Sequence, residues 1–202
     1  MDDIRDLDAR AVRWSISLVE QSTASDLARP TPCGSWRLGE LLAHMAVQHD
    51  GFARAADGIV TEVDDWQPRA LAEPQRDYVA AARGVLVTFA DDHVLERRWT
   101  LPEVSTEIAF SGRRALSFHF IDYLVHSWDV ARTLAVPFDP EPDLLDAALT
   151  VAQAVPDGPL RLVAGAAFAP GVSVSDDTPV LDRIVAMLGR DPAWTPPVRV
   201  AG

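Results

Sequence analysis

The chain has 202 residues, 48% of them hydrophobic, which is enough to bury a substantial core in one main domain. Its 30 acidic residues outnumber 18 Lys and Arg, and the formal charge of -12 argues against nucleic acid or an anionic membrane as the main partner. One cysteine, Cys33, excludes an internal disulfide and any thiolate-rich zinc or iron-sulfur site. Residues 1–8 contain no apolar signal core and no stretch has bilayer length, so we expect a cytoplasmic protein.

Apolar residues recur at helical spacing through the first part of the chain and predict two amphipathic helices there. The first covers about 4–27 and is broken by the prolines and glycine of residues 29–34. The second begins after Ser35, a candidate N-cap, has Glu40 in its first turns and runs to about Gly58.

Two further helices are predicted before residue 135, with extended structure between them. Pro74 suits the first turn of the third helix, which stops near Asp91. Residues 93–110 mix β-branched and aromatic residues with a proline and predict extended structure or a short hairpin. The fourth helix follows over about 112–134.

The sequence changes character after the fourth helix. A proline-rich connector leads to a fifth, shorter helix over 143–155. Residues 161–175 predict a short strand or a loop that packs back on the bundle. A last helix is predicted with Thr178 as its cap, Pro179 at its first position and Gly189 at its end.

These lengths predict a mainly α fold: a four-helix bundle with a short extended hairpin before the fourth helix and a small helical C-terminal extension. We expect the bundle to occupy residues 1–135 and the extension, packed on it, to occupy 136–202.

The fourth helix carries the residues that point to chemistry. Asp122 and His126 are four residues apart, so their side chains lie on one face of the helix, and His119 falls near the same line. A divalent cation offsets the cost of desolvating a carboxylate and an imidazole together. The alternative is that each imidazole is a core group satisfied by a hydrogen bond.

The second helix offers two histidines as the partner of Asp122 and His126. His44 and His49 are five residues apart and cannot share one face, so at most one of them points toward that pair. Periodicity favours His49, which falls within the apolar stripe, and leaves His44 on its flank. His93 lies in a charged loop and is assigned to the surface.

Three segments together resemble one known family. They are Thr31-Pro-Cys-Gly-Ser-Trp36 followed by His44 within Leu-Leu-Ala-His-Met, Asp122-Tyr-Leu-Val-His126-Ser-Trp-Asp129, and the stretch from Pro179 to Pro192. In combination they resemble the DinB-like four-helix metalloprotein superfamily, in the branch related to the N-terminal domain of mycothiol-dependent maleylpyruvate isomerase. The resemblance covers nearly the whole chain.

The resemblance implies that one histidine of the second helix and two residues of the fourth bind a divalent metal, often zinc or nickel. Carried over residue by residue, these ligands are His44, Asp122 and His126, so the resemblance selects His44 where periodicity favours His49. The related isomerase has Glu at the position of Asp122, and the shorter side chain implies a metal closer to the fourth helix or less tightly bound. His119, which the pattern does not use, either lines the pocket near the ion or belongs to the core.

The same resemblance implies a metal-dependent enzyme that acts on a small electrophilic substrate with a low-molecular-weight thiol, as a mycothiol-type S-transferase or isomerase. Its partners would be that thiol and substrate, and the superfamily often forms homodimers. The alternative is a non-catalytic metal- or ligand-binding bundle, which a fourth protein ligand such as His49 or His119 would favour. A third reading is a metal-free bundle in which Asp122 and His44 are hydrogen-bonded.

Two other residues are candidates for chemistry. Cys33 precedes the second helix, whose N-terminus would stabilise a thiolate nucleophile, although packing in the helix-entry turn is the simpler role. Asp129 lies three residues beyond His126 and is expected to form a surface ion pair with Arg132 or Arg113. Orientation of the His126 imidazole is the alternative role for Asp129.

Overall fold

The computed structural model describes residues 3–34, 36–163 and 166–197, and helices dominate this part of the chain. In chain order they are α1 (Ile4–Val19), α2 (Leu38–Ala56), α3 (Pro74–Phe89), α4 (Gly112–Leu134), α5 (Pro142–Ala154) and α6 (Val180–Met187). Two short strands, β1 (Arg98–Thr100) and β2 (Ala109–Ser111), pair antiparallel just before α4, with Trp99 opposite Phe110. The predicted mainly α fold with a hairpin before the fourth helix is confirmed.

The first helix is shorter than the sequence predicts. α1 ends at Val19, so its predicted extension to residue 27 was wrong. The polar residues that follow bond to nearby groups instead of continuing the helix, because Thr23 donates its backbone N–H to the Asp26 carboxylate at 2.9 Å. A short 3-10 turn at Ala24–Asp26 then leads toward α2.

The start of α2 is fixed by a cap in which the Glu40 side chain accepts from the N-cap backbone. Arg37 is the N-cap residue, and its backbone N–H donates to the Glu40 carboxylate at 2.8 Å, as in a capping box. Glu40 therefore lies in the first turn, as predicted. Ser35, the predicted N-cap, lies outside the described residues.

Four helices form the bundle. α1 packs mainly against α4, α2 packs mainly against α3, and α2 also contacts α4. Large side chains fill the interior, among them Tyr78, Phe120 and Tyr123, each fully buried. The contact between α2 and α4 matters most for function, because the histidines predicted to act together lie on these two helices.

The C-terminal extension packs on the α4 side of the bundle. α5 contacts α4 and α1, and α6 contacts α5. The extension joins the same buried apolar cluster as α1 and α4 through Leu144, Ala148, Ala152, Ile184 and Leu188. Residues 166–175 form no strand in the described segment, which leaves the predicted alternative of a loop. The division into units 1–135 and 136–202 stays a prediction.

α6 begins one residue later than predicted. Pro179 is its N-cap and Val180 its first residue, instead of Thr178 and Pro179. Gly189 follows its end with φ of 78°, as a C-terminal glycine should. No helix among the residues that the structure describes has the length and hydropathy needed to cross a membrane.

Candidate metal centre

Three side chains from α2 and α4 converge on one point between the two helices. The ring centroids of His44 and His126 lie 5.3 Å apart with the rings nearly perpendicular. His126 Nε2 lies 3.4 Å from Asp122 Oδ1. One ligand atom from each of the three residues lies within 4.8 Å of those of the other two. The structure thus brings the predicted ligands together, and metal binding by them stays a prediction.

The spacing and chemistry of these donors fit a small divalent cation. Ligand atoms about 2.1 Å from a tetrahedral zinc ion lie about 3.4 Å from one another, which matches the distance between His126 and Asp122. Imidazole and carboxylate are donor types that zinc and nickel accept. Burial, together with the neighbouring His126, lowers the pKa of His44 to about 4. The His44 imidazole is therefore neutral near pH 7 and has a lone pair for a metal.

One side of the centre faces solvent. His44 and Asp122 are partly exposed, whereas His126 is buried. The Trp36 ring packs against the His44 ring, with centroids 4.6 Å apart, and limits where that imidazole can turn. The exposed side of the three donors is therefore the side of His44 and Asp122.

The Glu103 carboxyl group, from the loop between β1 and β2, lies near Gln48 and Asp122. Gln48, one turn after His44 on α2, donates to Glu103 at 2.6 Å. Burial raises the pKa of Glu103, and the negative charge of Asp122 raises it further. The loop thus places a second acidic group near Asp122.

The other ring nitrogen of His126 contacts a buried ion pair. His126 Nδ1 lies 3.0 Å from Asp129 Oδ2, and Arg190 donates to both oxygens of Asp129, at 3.4 and 3.0 Å. Burial raises the pKa of Asp129. The Arg190 charge and the hydrogen bond from His126 outweigh burial and hold that pKa below its ordinary value. The expected surface pair of Asp129 with Arg132 or Arg113 was wrong, because Asp129 is completely buried.

Arg190 is a residue that the spacing argument missed. It follows α6 and is 61 residues from Asp129, so no local pattern connects the two. The only signal was its place within the last of the three segments that carry the resemblance.

Cys33 lies beside Arg190, and its sulfur is a protonated thiol near pH 7. Its sulfur accepts a hydrogen bond from Arg190 at 3.2 Å. Burial and the negative charge of Asp129 raise the pKa of Cys33 to about 12. A thiol with this pKa is a poor nucleophile near pH 7, which favours the packing role over a Cys-His-Asp nucleophile.

The other two buried histidines form a separate hydrogen-bonded network in the core. Asp8 Oδ1 lies 2.6 Å from His119 Nδ1, and His119 Nε2 lies 3.0 Å from His49 Nδ1. His49 Nε2 then lies 3.4 Å from the Tyr78 hydroxyl, which contacts the Ser15 hydroxyl at 2.5 Å. All five residues are buried. Of the two alternatives for His119, the structure shows the core role.

His49, which periodicity favours, points into this core network and not toward Asp122 and His126. Within residues 3–34, 36–163 and 166–197, no fourth His, Cys, Asp or Glu joins His44, Asp122 and His126 at ligand spacing. His93 is exposed and lies 3.2 Å from Glu96, which confirms its surface position.

The sequence around this centre matches a known family. The family model described as mycothiol maleylpyruvate isomerase N-terminal domain matches residues 9–131, well over half of the chain. The chain belongs to this family. His44, Asp122, His126 and Asp129 lie within the residues matched to the mycothiol maleylpyruvate isomerase N-terminal domain, whereas Arg190 lies beyond them.

Two further comparisons show what else this chain is similar to. An uncharacterised protein of Mycobacterium tuberculosis, found in two strains, is 28% identical over 184 residues, which are 86% of this chain and 90% of that protein. A crystal structure of the mycothiol-dependent maleylpyruvate isomerase has a TM-score of 0.56 at 12% identity, and the match covers 77% of this chain and 72% of that chain. At this identity the likeness shows the fold alone, a DinB-like helical bundle.

Proposed function

We propose that this protein is a metal-dependent enzyme that acts on a small electrophilic substrate with a low-molecular-weight thiol, as a mycothiol-type S-transferase or isomerase. The observation that carries the proposal is the convergence of His44, Asp122 and His126 from two helices at ligand spacing. Membership of the mycothiol maleylpyruvate isomerase N-terminal domain family supports the choice of a thiol as co-substrate.

The three side chains have distinct tasks in this proposal. His44 and His126 offer nitrogen donors and Asp122 a carboxylate oxygen donor, a set that zinc and nickel accept. A zinc or nickel ion held there would lower the pKa of a bound thiol or water and so supply a nucleophile near neutral pH. With three protein donors on one side, the partly exposed side of His44 and Asp122 remains accessible to thiol and substrate.

The first experiment measures metal content. Protein purified without a histidine tag should contain close to one divalent ion per chain by mass spectrometry of the digested sample. The double variant His44→Ala, His126→Ala should lose that ion, because two of three ligands are gone. Asp122→Asn, which keeps the side-chain shape and removes the charge, should weaken binding at least tenfold.

The matched control for metal content is His93→Ala. This histidine is exposed and lies outside the cluster, so its removal should leave the metal content unchanged. If the double variant kept its full metal content, or if His93→Ala lost the metal equally, the assignment of ligands would be wrong.

The second experiment tests thiol binding and turnover. Mycothiol should raise the melting temperature of metal-loaded protein, because a ligand of the folded state stabilises it, and should do so only weakly for metal-free protein. S-methylated mycothiol, which cannot form a thiolate, is the control ligand and should give a smaller shift. Turnover is then followed in two ways: as loss of thiol with a haloaromatic electrophile, which tests a transferase, and as conversion of maleylpyruvate to its trans isomer, with the thiol returned unchanged, which tests an isomerase.

The alternative function is a non-catalytic metal- or ligand-binding bundle. Stoichiometric metal without thiol-dependent stabilisation, without loss of thiol to the haloaromatic electrophile and without thiol-dependent isomerisation of maleylpyruvate, would support that alternative and contradict the enzyme proposal.

A further inference from the structure

We infer that Arg190 and Asp129 are positioning residues for the candidate metal centre, and that the C-terminal extension therefore helps to build it. Together they hold His126 so that its Nε2 is directed toward Asp122 and His44. The inference rests on the proposed function, since it concerns how one proposed ligand is oriented.

The two ring nitrogens of His126 have different partners. Nδ1 lies 3.0 Å from Asp129 Oδ2, and Nε2 lies 3.4 Å from Asp122 Oδ1. Asp129 is ion-paired with Arg190, and an ionised carboxylate only accepts hydrogen bonds, so Nδ1 carries the proton. In the neutral imidazole with its proton on Nδ1, Nε2 has its lone pair on the side where His44 and Asp122 converge. A carboxylate behind a ligating imidazole fixes its tautomer and orientation in this way.

Asp129 can act in this way only because Arg190 holds it. Asp129 is completely buried and Arg190 is 5% exposed. Arg190 Nε and Nη2 donate to the two carboxylate oxygens, and a planar guanidinium makes such paired contacts in one orientation. Its other hydrogen bonds, from Nη1 to the Leu188 carbonyl and from Nη2 to Cys33 Sγ, also hold the guanidinium in place.

The turn after α6 places Arg190 beside Asp129. Leu188 is completely buried and belongs to the apolar cluster shared by α1, α4 and α5. Gly189 then adopts a φ of 78°, and a Cβ there would lie 2.5 Å from the Ala169 carbonyl oxygen, so the tight turn requires glycine. The chain therefore reverses between a buried leucine and a buried arginine, and the guanidinium enters the interior behind His126.

A purely structural ion pair would have different consequences. Removing such a pair lowers the stability of the protein but leaves the His126 tautomer and the metal affinity of the folded protein unchanged. Positioning instead predicts that both properties change when Asp129 or Arg190 is altered, even in protein that remains folded.

The chain offers a matched control in Arg161. It is also a buried arginine of the extension, 8% exposed, and it donates to backbone carbonyls that include those of Pro156, Ala169 and Met187. It makes no contact with Asp129 among these hydrogen bonds. Arg161→Gln therefore loosens the extension without removing the partner of His126.

The first readout uses metal-free protein. Nitrogen-15 NMR of labelled histidines, recorded at a pH where the imidazoles are neutral, should show His126 with its proton on Nδ1 in the wild type and in Arg161→Gln. Asp129→Asn and Arg190→Gln should show a mixture of tautomers. This readout needs no metal and no activity.

The second readout is zinc affinity, measured by competition with a chromophoric chelator on protein shown to be folded by circular dichroism. We expect 10- to 100-fold weaker binding for Asp129→Asn and Arg190→Gln, the usual effect of losing such a partner. Arg161→Gln should stay within about twofold of wild type. Arg190→Lys, which keeps the charge but not the paired geometry, should recover part of the loss.

Wild-type affinity together with a wild-type tautomer in Asp129→Asn and Arg190→Gln would overturn the inference. An equal loss of affinity in Arg161→Gln would also overturn it, since the effect would then belong to the extension as a whole. If wild-type protein bound no zinc, the proposed function would fail, whereas the tautomer measurement would still decide the positioning role. Should Arg190→Gln not fold, Asp129→Asn and Arg190→Lys decide the question.

Discussion

Burial of His44 beside His126 keeps its imidazole neutral over most of the pH range in the folded protein. The lowered pKa that makes His44 a metal donor near pH 7 also makes the stability of the protein depend on pH. Its pKa is about 4 when folded, compared with 6.5 for an unperturbed histidine. Between these two values the unfolded chain holds a proton at His44 that the folded chain does not.

This difference predicts how stability depends on pH in metal-free protein. Because the folded pKa of His44 lies below the unfolded one, its contribution to stability is complete above pH 6.5 and is lost as the pH falls toward about 4. The loss is at most about 1.4 kcal/mol per pH unit. His44→Gln removes this titration, so its free energy of unfolding should fall less steeply than that of wild type between pH 6.5 and 4.5. Urea unfolding with a chelator present measures both slopes, and equal slopes would contradict the burial of a neutral His44.

The choice between His44 and His49 shows the limit of sequence reasoning at the scale of single residues. Periodicity ranks helix faces by their apolar content, and it correctly places His49 in the interior. It could not tell that His49 faces His119, since that depends on how α2 is rotated against α4. The resemblance to a known family selects His44, and the structure places His44 beside Asp122 and His126.

At the scale of helices, a polar chain in the core joins the four members of the bundle. Asp8 and Ser15 come from α1, His49 from α2, Tyr78 from α3 and His119 from α4. Asp8 Oδ2 is buried and has no hydrogen-bond partner in the described part of the chain. Burial raises the pKa of Asp8, and His119 opposes that rise. Such a network fixes how helices are aligned, provided that its members stay paired.

This pairing predicts an unusual mutational pattern. His119→Leu removes the partner of the buried Asp8 carboxyl group and should lower the free energy of unfolding by about 3–5 kcal/mol. Changing Asp8→Ala as well removes the group left without a partner, so the double variant should be more stable than His119→Leu alone. Urea unfolding at pH 7 compares the three proteins. A double variant that is less stable than His119→Leu would show that the unpaired Asp8 carboxyl group is not the cause of the lost stability.

The bounds of a helix can be predicted from the sequence where contacts between neighbouring residues determine them. α4 was predicted over 112–134 and has those bounds, because Ser111 caps its start and Ala135 adopts the left-handed conformation at its end. The end of α1 was missed because Thr23 and Asp26 bond to each other. The pairing of Asp129 with Arg190 is a long-range contact between α4 and the end of the extension, and no periodicity contains that information.

On the scale of the whole molecule, the extension and the bundle share one interior. Ile184 of α6 and Leu188 are completely buried in the same apolar cluster as Leu116 and Phe120 of α4. α5 contacts both α4 and α6. Together with the Asp129–Arg190 pair, this shared interior predicts that the extension and the bundle unfold together.

Ile184→Ala tests that cooperativity. Loss of a fully buried isoleucine should lower the free energy of unfolding by about 2–5 kcal/mol, because a cavity forms where the side chain was. If the chain is one cooperative unit, tryptophan fluorescence and far-ultraviolet circular dichroism should shift to the same lower midpoint, and amide exchange should quicken in α1 and α4 as well as in α6. Val174→Ala, at a side chain that is 39% exposed, is the control and should change stability by less than about 0.5 kcal/mol. Faster exchange confined to α5 and α6 would instead show that the bundle of residues 1–135 is stable by itself, and that the extension binds to it as a separate unit.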